Sequence, residues 1–132
     1  MPAADVPFAY AILRVVPRVE RGERLNAGVV VFCRQRDFLD MRAQVDEGRL
    51  AALSADLDVA ALRASVDAIR AVVCGEPSAG ALAALPASER FGWVVAPAST
   101  VIQPSQVHTG LTSDPQATLD RLFDALVGTP DQ

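Results

Sequence analysis

The stretch that decides the fold is FAYAILRVVPRVERGERLNAGVVVFC, residues 8–33. Its first part, residues 8–16, is a run of apolar and β-branched residues that Pro17 ends, and a second such run covers residues 26–34. Between the two runs lies a polar connection around Gly22, which has the backbone freedom that a chain reversal needs. The pattern predicts two antiparallel strands joined by a long hairpin loop.

Two further strands complete the predicted sheet. Residues 37–43 extend the hairpin into a meander of three antiparallel strands. The β-branched run at 99–104, closed by Pro104, predicts a fourth strand at an edge of the sheet. Residues 105–113 are predicted to form a loop.

Helical periodicity occupies most of the remaining chain. Helices are predicted over residues 49–54, 59–74, 79–95 and 115–127. Asp58 and Asp114 precede the two longer helices as expected caps, and Gly75 closes the first of them. The third segment is ambiguous, because Phe91, Trp93 and Val95 alternate as in a strand, and we favour the helix.

These elements predict one fold class. We expect an α+β fold, an antiparallel meander of about four strands packed by two main helices and shorter helical segments. The length suits a single domain over residues 1–132, with an ordered core at about 8–127 and short tails.

Composition and charge exclude several function classes. The net charge of −4 argues against non-specific binding to nucleic acid or to a membrane surface. Residues 14–42 nevertheless carry a local charge of +3, so this end of the chain suits an anionic partner. No apolar run is long enough for a membrane helix, and the N-terminus lacks the pattern of a secretory signal. We therefore expect a soluble, cytoplasmic protein.

The cysteine and histidine content predicts neither a disulfide nor a metal site. Cys33 and Cys74 each lie in an apolar run, so we expect both to be reduced and mostly buried. With one histidine and no C-x-x-C pair there is no set of zinc ligands. No nucleotide-binding or nucleophile motif is present, so no cofactor and no confident catalytic residue are predicted.

The first candidate site is the polar segment that precedes the last helix. It contains the only histidine, His108, and the candidate binding residues of this segment are Gln103, Ser105, His108 and Thr109. Because a helix N-terminus attracts anions and histidine titrates near neutral pH, His108 is the candidate acid, base or donor. The simpler interpretation is structural: His108 hydrogen-bonds backbone or a nearby polar side chain and holds the loop over the sheet.

The second candidate site is the hairpin, with the candidate residues Arg14, Arg18, Arg21, Arg24 and Asn26. One interpretation is an arginine patch for a phosphate or an acidic partner segment. The other is a solvated loop whose alternating charges pair weakly. Arg14 lies inside an apolar strand, where a charged group must find a partner or reach an edge.

Two segments, YAILRVVPRVERGERLNAGVVVFC and STVIQPSQVHTGLTSDP, resemble the bacterial domain-of-unknown-function family numbered 3037. The resemblance spans about residues 8–127, with Gln106 where the family pattern has proline and Ala98 where it has arginine. The family has no assigned activity. The resemblance implies a partner, possibly a HipA-like kinase, because genes of this type often lie beside such kinase genes.

These observations favour a non-enzymatic interaction or regulatory domain that acts with a separate protein. The alternative is a small enzyme or sensor for a phosphate-bearing or other anionic ligand, which would gather His108 and the hairpin arginines into one pocket. Both central strands are apolar on both faces. We expect the two main helices to cover one face, and part of the other to remain for a protein partner or a second copy in a homodimer.

Overall fold

The structure, a computed structural model, describes residues 4–18, 21–97 and 100–128. The hairpin runs form two long strands, β1 (Val6–Val15) and β2 (Leu25–Cys33), which pair in antiparallel fashion. Strand β3 (Phe38–Ala43) pairs with the other side of β2 after a short 3₁₀ turn. The predicted meander is confirmed. A parallel crossover needs about a dozen residues or more, and the polar segments between the three apolar runs are shorter than that, so each strand reverses direction.

Two short strands share the second edge of β1. Strand β4 (Ile102–Pro104) pairs with the C-terminal end of β1, and strand β5 (His108–Thr112) pairs with its N-terminal half. Both are antiparallel to β1, so the order is β3-β2-β1 followed by β4 and β5 side by side along one edge. The fourth strand is thus confirmed in shortened form, although Ser99 lies outside the described residues. The predicted loop over 105–113 is wrong where β5 forms.

The predicted signals at Asp58, Gly75 and Asp114 mark helix ends as expected. The first short helix begins two residues earlier than predicted, and the segment predicted as one helix over 79–95 divides into a 3₁₀ segment and a shorter helix. The helices are α1 (Glu47–Leu53), α2 (Val59–Cys74), α3 (Ala87–Val95) and α4 (Pro115–Leu126), with a 3₁₀ segment at Pro77–Ala84. Asp58 accepts a hydrogen bond from the Ala61 amide at 3.0 Å and Asp114 from the Ala117 amide at 3.1 Å, as N-caps do. Gly75, with φ of 66°, closes α2 in a Schellman motif.

The two main helices lie on opposite faces of the sheet. Helices α2 and α3 pack on one face, where they bury side chains of β1, β2 and β3 such as Leu13, Val30 and Met41. Helix α4 packs on the other face, against Val29 and Val31. The expectation that both helices cover one face is therefore wrong. Strands that are apolar on both faces are explained by a sheet between two helical layers of the same chain.

A β-bulge in the hairpin fixes which side chains share a face. Leu13 pairs with Gly28 but the next residue of β1, Arg14, pairs with Asn26, so Ala27 is the extra residue. Gly28 is needed there, because a Cβ would lie 3.0 Å from the carbonyl oxygen of Arg42 on β3. As a result, Arg14 and Asn26 both lie on the α4 face of the sheet.

The cysteines differ from each other in exposure. Both are free; Cys33 is buried in β2, and its thiol contacts the carbonyl oxygen of Pro7 at 3.4 Å. Cys74 is exposed at the end of α2, so the expectation that it is mostly buried is wrong. Cys74 follows the buried Val73, and one residue further along a helix turns the side chain by about 100° away from the core.

None of the helices in the described ranges is long and apolar enough to cross a membrane.

Candidate functional site

Three of the candidate residues form a polar row on the α4 face of the sheet. Arg14 lies between Asn26 of β2 and Gln103 of β4, which are its register partners on either side. Its Nε donates to Asn26 Oδ1 at 3.4 Å, and Asn26 Nδ2 donates to the carbonyl oxygen of Leu126 at the end of α4, at 3.0 Å. Partial burial and, secondarily, the charge of Arg24 lower the pKa of Arg14. The partner that Arg14 was expected to need is thus the side-chain amide of Asn26, which also caps the C-terminal end of α4.

His108 belongs to an aromatic row on the same face. Its ring lies 5.1 Å from that of Tyr10, and Tyr10 in turn stacks on Phe8 with ring centroids 6.0 Å apart. Gly110 makes room for the row, since a Cβ there would lie 2.8 Å from Phe8 Cε1. His108 is exposed, and within the described residues its contact is this ring rather than the expected hydrogen bond.

The remaining residues of the His108 segment have separate surroundings. Ser105 is buried: its Oγ accepts from the Ile12 amide and donates to the Gln106 carbonyl, both at 2.8 Å. Ser105 therefore joins β4 and β5 to the edge of β1. Thr109 is exposed and lies opposite Ala9, on the α2 face of the sheet. Ala98, where the family pattern has arginine, lies outside the described residues.

The hairpin arginines beyond the sheet occupy a different place. Arg18 and Arg21 line a polar recess of about 240 Å³ beside the end of α1. Arg18 lies 3.7 Å from Asp56 and Arg21 lies 2.6 Å from Glu23, and these ion pairs are exposed. Arg24 is exposed just before β2.

The two candidate sites are therefore only partly brought together. Arg14 and Tyr10 point to the same face of β1, and His108 stacks beside Tyr10. Arg14 lies four positions along β1 from Tyr10, a distance of about 13 Å. Arg18 lies beyond the end of β1, so the structure does not join it to His108 in one pocket.

Two adjoining apolar recesses lie among the helices of the α2 face, and sequence reasoning did not predict them. A recess of about 520 Å³ lies between α2, α3 and β4, and a second of about 430 Å³ adjoins it on the far side of Trp93. We refer to the two together as the Trp93 groove. Trp93 is 49% exposed and Val101, at the other wall, is 41% exposed.

The position of Trp93 follows from its helix. Phe91 and Val94 face the core from α3, and a residue between them at the helical period of about 100° per step faces away. The outward orientation of Trp93 could therefore be predicted from the sequence only if the segment was assigned as a helix rather than a strand. The ambiguity of the alternating Phe91, Trp93 and Val95 hid it.

The described residues contain no group of three or more His, Cys, Asp or Glu side chains placed to bind a metal ion.

Comparisons with known proteins point to one family. No curated protein and no solved structure matches the chain. A family model described as "Protein of unknown function (DUF3037)" matches residues 10–127, close to the span of the resemblance found in the sequence. The chain therefore belongs to the DUF3037 family.

Proposed function

We propose that the chain is a non-enzymatic interaction domain that binds an apolar segment of a separate protein in the Trp93 groove. The observation that carries this proposal is the half-exposed indole of Trp93 between two adjoining apolar recesses. Tryptophan is the residue type most enriched among the side chains that dominate binding energies at protein interfaces. An exposed apolar surface rimmed by polar residues is the usual mark of such an interface.

The walls of the groove suit a helical partner segment. Three of the four exposed residues that α2 contributes to it are small, namely Ala64, Ser65 and Ala68, so another backbone can come close. Apolar residues at helical spacing would then lie against Trp93 and Val101. Of the described residues that line the groove, only Asp67 is ionised, so the matching segment carries a basic residue beside its apolar stripe.

The alternative, an enzyme or sensor for an anionic ligand, draws on fewer contacts. Arg18 and Arg21 already contact carboxylates, and the polar recess they line mixes both signs of charge. The ring of His108 lies beside that of Tyr10, and within the described ranges no hydrogen bond joins it to a nucleophile or a carboxylate. Arg14, beside Gln103, lies on the same face as His108. Arg42 of β3 lies on that face too, but it already pairs with Asp120 of α4 at 3.1 Å.

The test is titration calorimetry of the chain with a purified HipA-like kinase from the same host, the partner that the family resemblance implies. We expect binding that Trp93→Ala weakens by about thirtyfold, the effect of losing a dominant interface side chain. Arg121→Ala, at an exposed residue of α4 outside the groove, is the control and should bind as the unaltered chain does.

Three results would count against the proposal. Full affinity in the Trp93→Ala variant would exclude the groove as the binding surface. If the kinase does not bind, a photo-crosslinker in place of Val101 in the native host should capture a protein, and failure to form any adduct would remove the interaction function. Inorganic phosphate that shifts the NMR signals of Arg14 and His108 together would favour the alternative.

A further inference from the structure

Strand β5 forms an open edge of the sheet. The amide of Ile12 in β1 donates to Ser105 Oγ, and the carbonyl oxygen of Ile12 accepts from the Ser105 amide. The Val16 amide donates to the carbonyl oxygen of Val101. The even-numbered residues of β1 therefore turn their backbone groups towards β4 and β5. Since directly opposed residues exchange these bonds, His108, Gly110 and Thr112 turn theirs inward to β1. The N–H and C=O groups of Thr109 and Leu111 therefore point outward.

No described strand pairs with the outer side of β5, whose only strand neighbour is β1. The four outward groups of Thr109 and Leu111 are placed symmetrically about Gly110. In an antiparallel pair of two such strands, Thr109 of one copy lies opposite Leu111 of the other, and each pair exchanges two backbone hydrogen bonds. Gly110 then lies opposite Gly110, at the close approach of a pair without hydrogen bonds, about 4.5 Å between Cα atoms.

The side chains of β5 do nothing to block this pairing. The strand HTGLT carries no proline, lysine, arginine or acidic residue, whereas the opposite edge strand β3 carries Asp40 and Arg42. Charges and proline are the devices by which edge strands resist pairing with another chain. Leu111 is 66% exposed and Val107, just before the strand, is 44% exposed, so pairing would cover apolar surface.

We propose that β5 pairs with β5 of a second copy of this chain, which makes one continuous antiparallel sheet across a two-fold axis at Gly110. Leu111 of each copy then packs beside Thr109 of the other on the α2 face. On the α4 face, His108 lies opposite Thr112 of the second copy. This surface is separate from the Trp93 groove, so the dimer can form whether or not the groove binds a partner.

The first test is analytical ultracentrifugation. Because a single strand pair buries little area, we expect a reversible dimer whose average mass rises from 14.0 kDa towards twice that value between about 10 μM and 1 mM. Leu111→Lys places two charges in the pair and removes the covered leucines, which should raise the dissociation constant by about tenfold or more. Ala125→Lys, at an exposed position of α4, is the matched control and should dimerise normally.

Amide hydrogen exchange followed by NMR gives a second, residue-specific test. In concentrated protein the amides of Thr109 and Leu111 should exchange slowly, and on dilution they alone should become fast. The amides of His108 and Gly110, which face β1, should stay protected at both concentrations. A chain that remains monomeric at the highest concentration, or a dimer that persists unchanged in Leu111→Lys, would overturn the proposal.

Discussion

The guanidinium of Arg90 donates from Nη1 to the carbonyl oxygen of Val73 at 2.7 Å, which ties α3 to the last turn of α2. The same group reaches the Val72 carbonyl at 3.2 Å, and Nε donates to the Leu85 carbonyl at 3.0 Å. The last carbonyls of a helix have no partner within the helix, and a cation also interacts favourably with the negative end of the helix dipole. Arg90 therefore joins the end of α2 to the segment that leads into α3.

We expect Arg90→Ala to lower the free energy of unfolding by about 2–3 kcal/mol, because three part-buried carbonyls lose a charged donor. Arg90→Lys should recover only part of the lost stability, because a compact ammonium group lacks the separated donors with which the planar guanidinium reaches three carbonyls. Arg121→Ala, an exposed arginine of α4, should change stability by less than about 0.5 kcal/mol. Urea unfolding followed by circular dichroism measures all three.

Alanine substitutions at Gly110 and Gly92 should change the stability of the fold in opposite directions. In Gly110→Ala the new Cβ would lie 2.8 Å from Phe8 Cε1, so the ring must move, at a cost of about 1–3 kcal/mol. Gly92 lies in α3, and a Cβ there would have no heavy atom within 4 Å apart from its chain neighbours and the backbone of its own helix. Gly92→Ala should therefore stabilise by about 0.5–1 kcal/mol. Thermal unfolding of dilute protein distinguishes the two, and equal shifts would contradict the packing of Phe8 over β5.

The two thiols should differ in labelling by a thiol reagent. Cys74 is exposed and should react in the folded protein, whereas Cys33 should react only after unfolding. Partial burial and the carboxylates of Asp40 and Glu76 raise the pKa of Cys74. Because the thiolate is the reactive form, its labelling rate should still be rising with pH above about 8.5, where that of an ordinary thiol levels off. Cys74→Ser gives the control, which should take up no label when folded.

The single tryptophan reports on the groove directly. Because Trp93 is half exposed, acrylamide should quench its fluorescence readily and the emission should lie at long wavelength. An exposed side chain contributes little to the fold, so Trp93→Phe should change stability by less than about 0.5 kcal/mol. Poor quenching, or a large loss of stability, would mean that the indole is packed inside.

Local patterns explain what could be predicted of the fold. Helix α2 was found in the sequence because Asp58 and Gly75 mark both ends and the apolar spacing repeats between them. Strands β1 and β2 were found because their β-branched runs are long and bounded. The charge of the hairpin residues made them candidates. Arg14 is partly buried, and its guanidinium has the polar partner that a charge within an apolar strand requires.

Other features depend on contacts between distant parts of the chain. Strand β5 has weak strand propensity in His108 and Gly110, and its conformation depends on pairing with β1. The side of the sheet that α4 covers is likewise set by packing and not by helical period. Tyr10 and His108 meet only through that pairing, so the aromatic row could not be predicted from either segment alone.

The register of β1 sets how much of the chain must leave the ribosome before the sheet can be completed. Val6 pairs with Thr112, so about 100 residues must be synthesised before the second edge of β1 can close. At typical synthesis rates of about 5–20 residues per second this takes about 5–20 s. During that time the hairpin of β1 and β2 can form, but the second edge of β1 has no neighbour. A nascent chain stalled before residue 108 should therefore bind chaperones, and release should follow once the last helix has emerged.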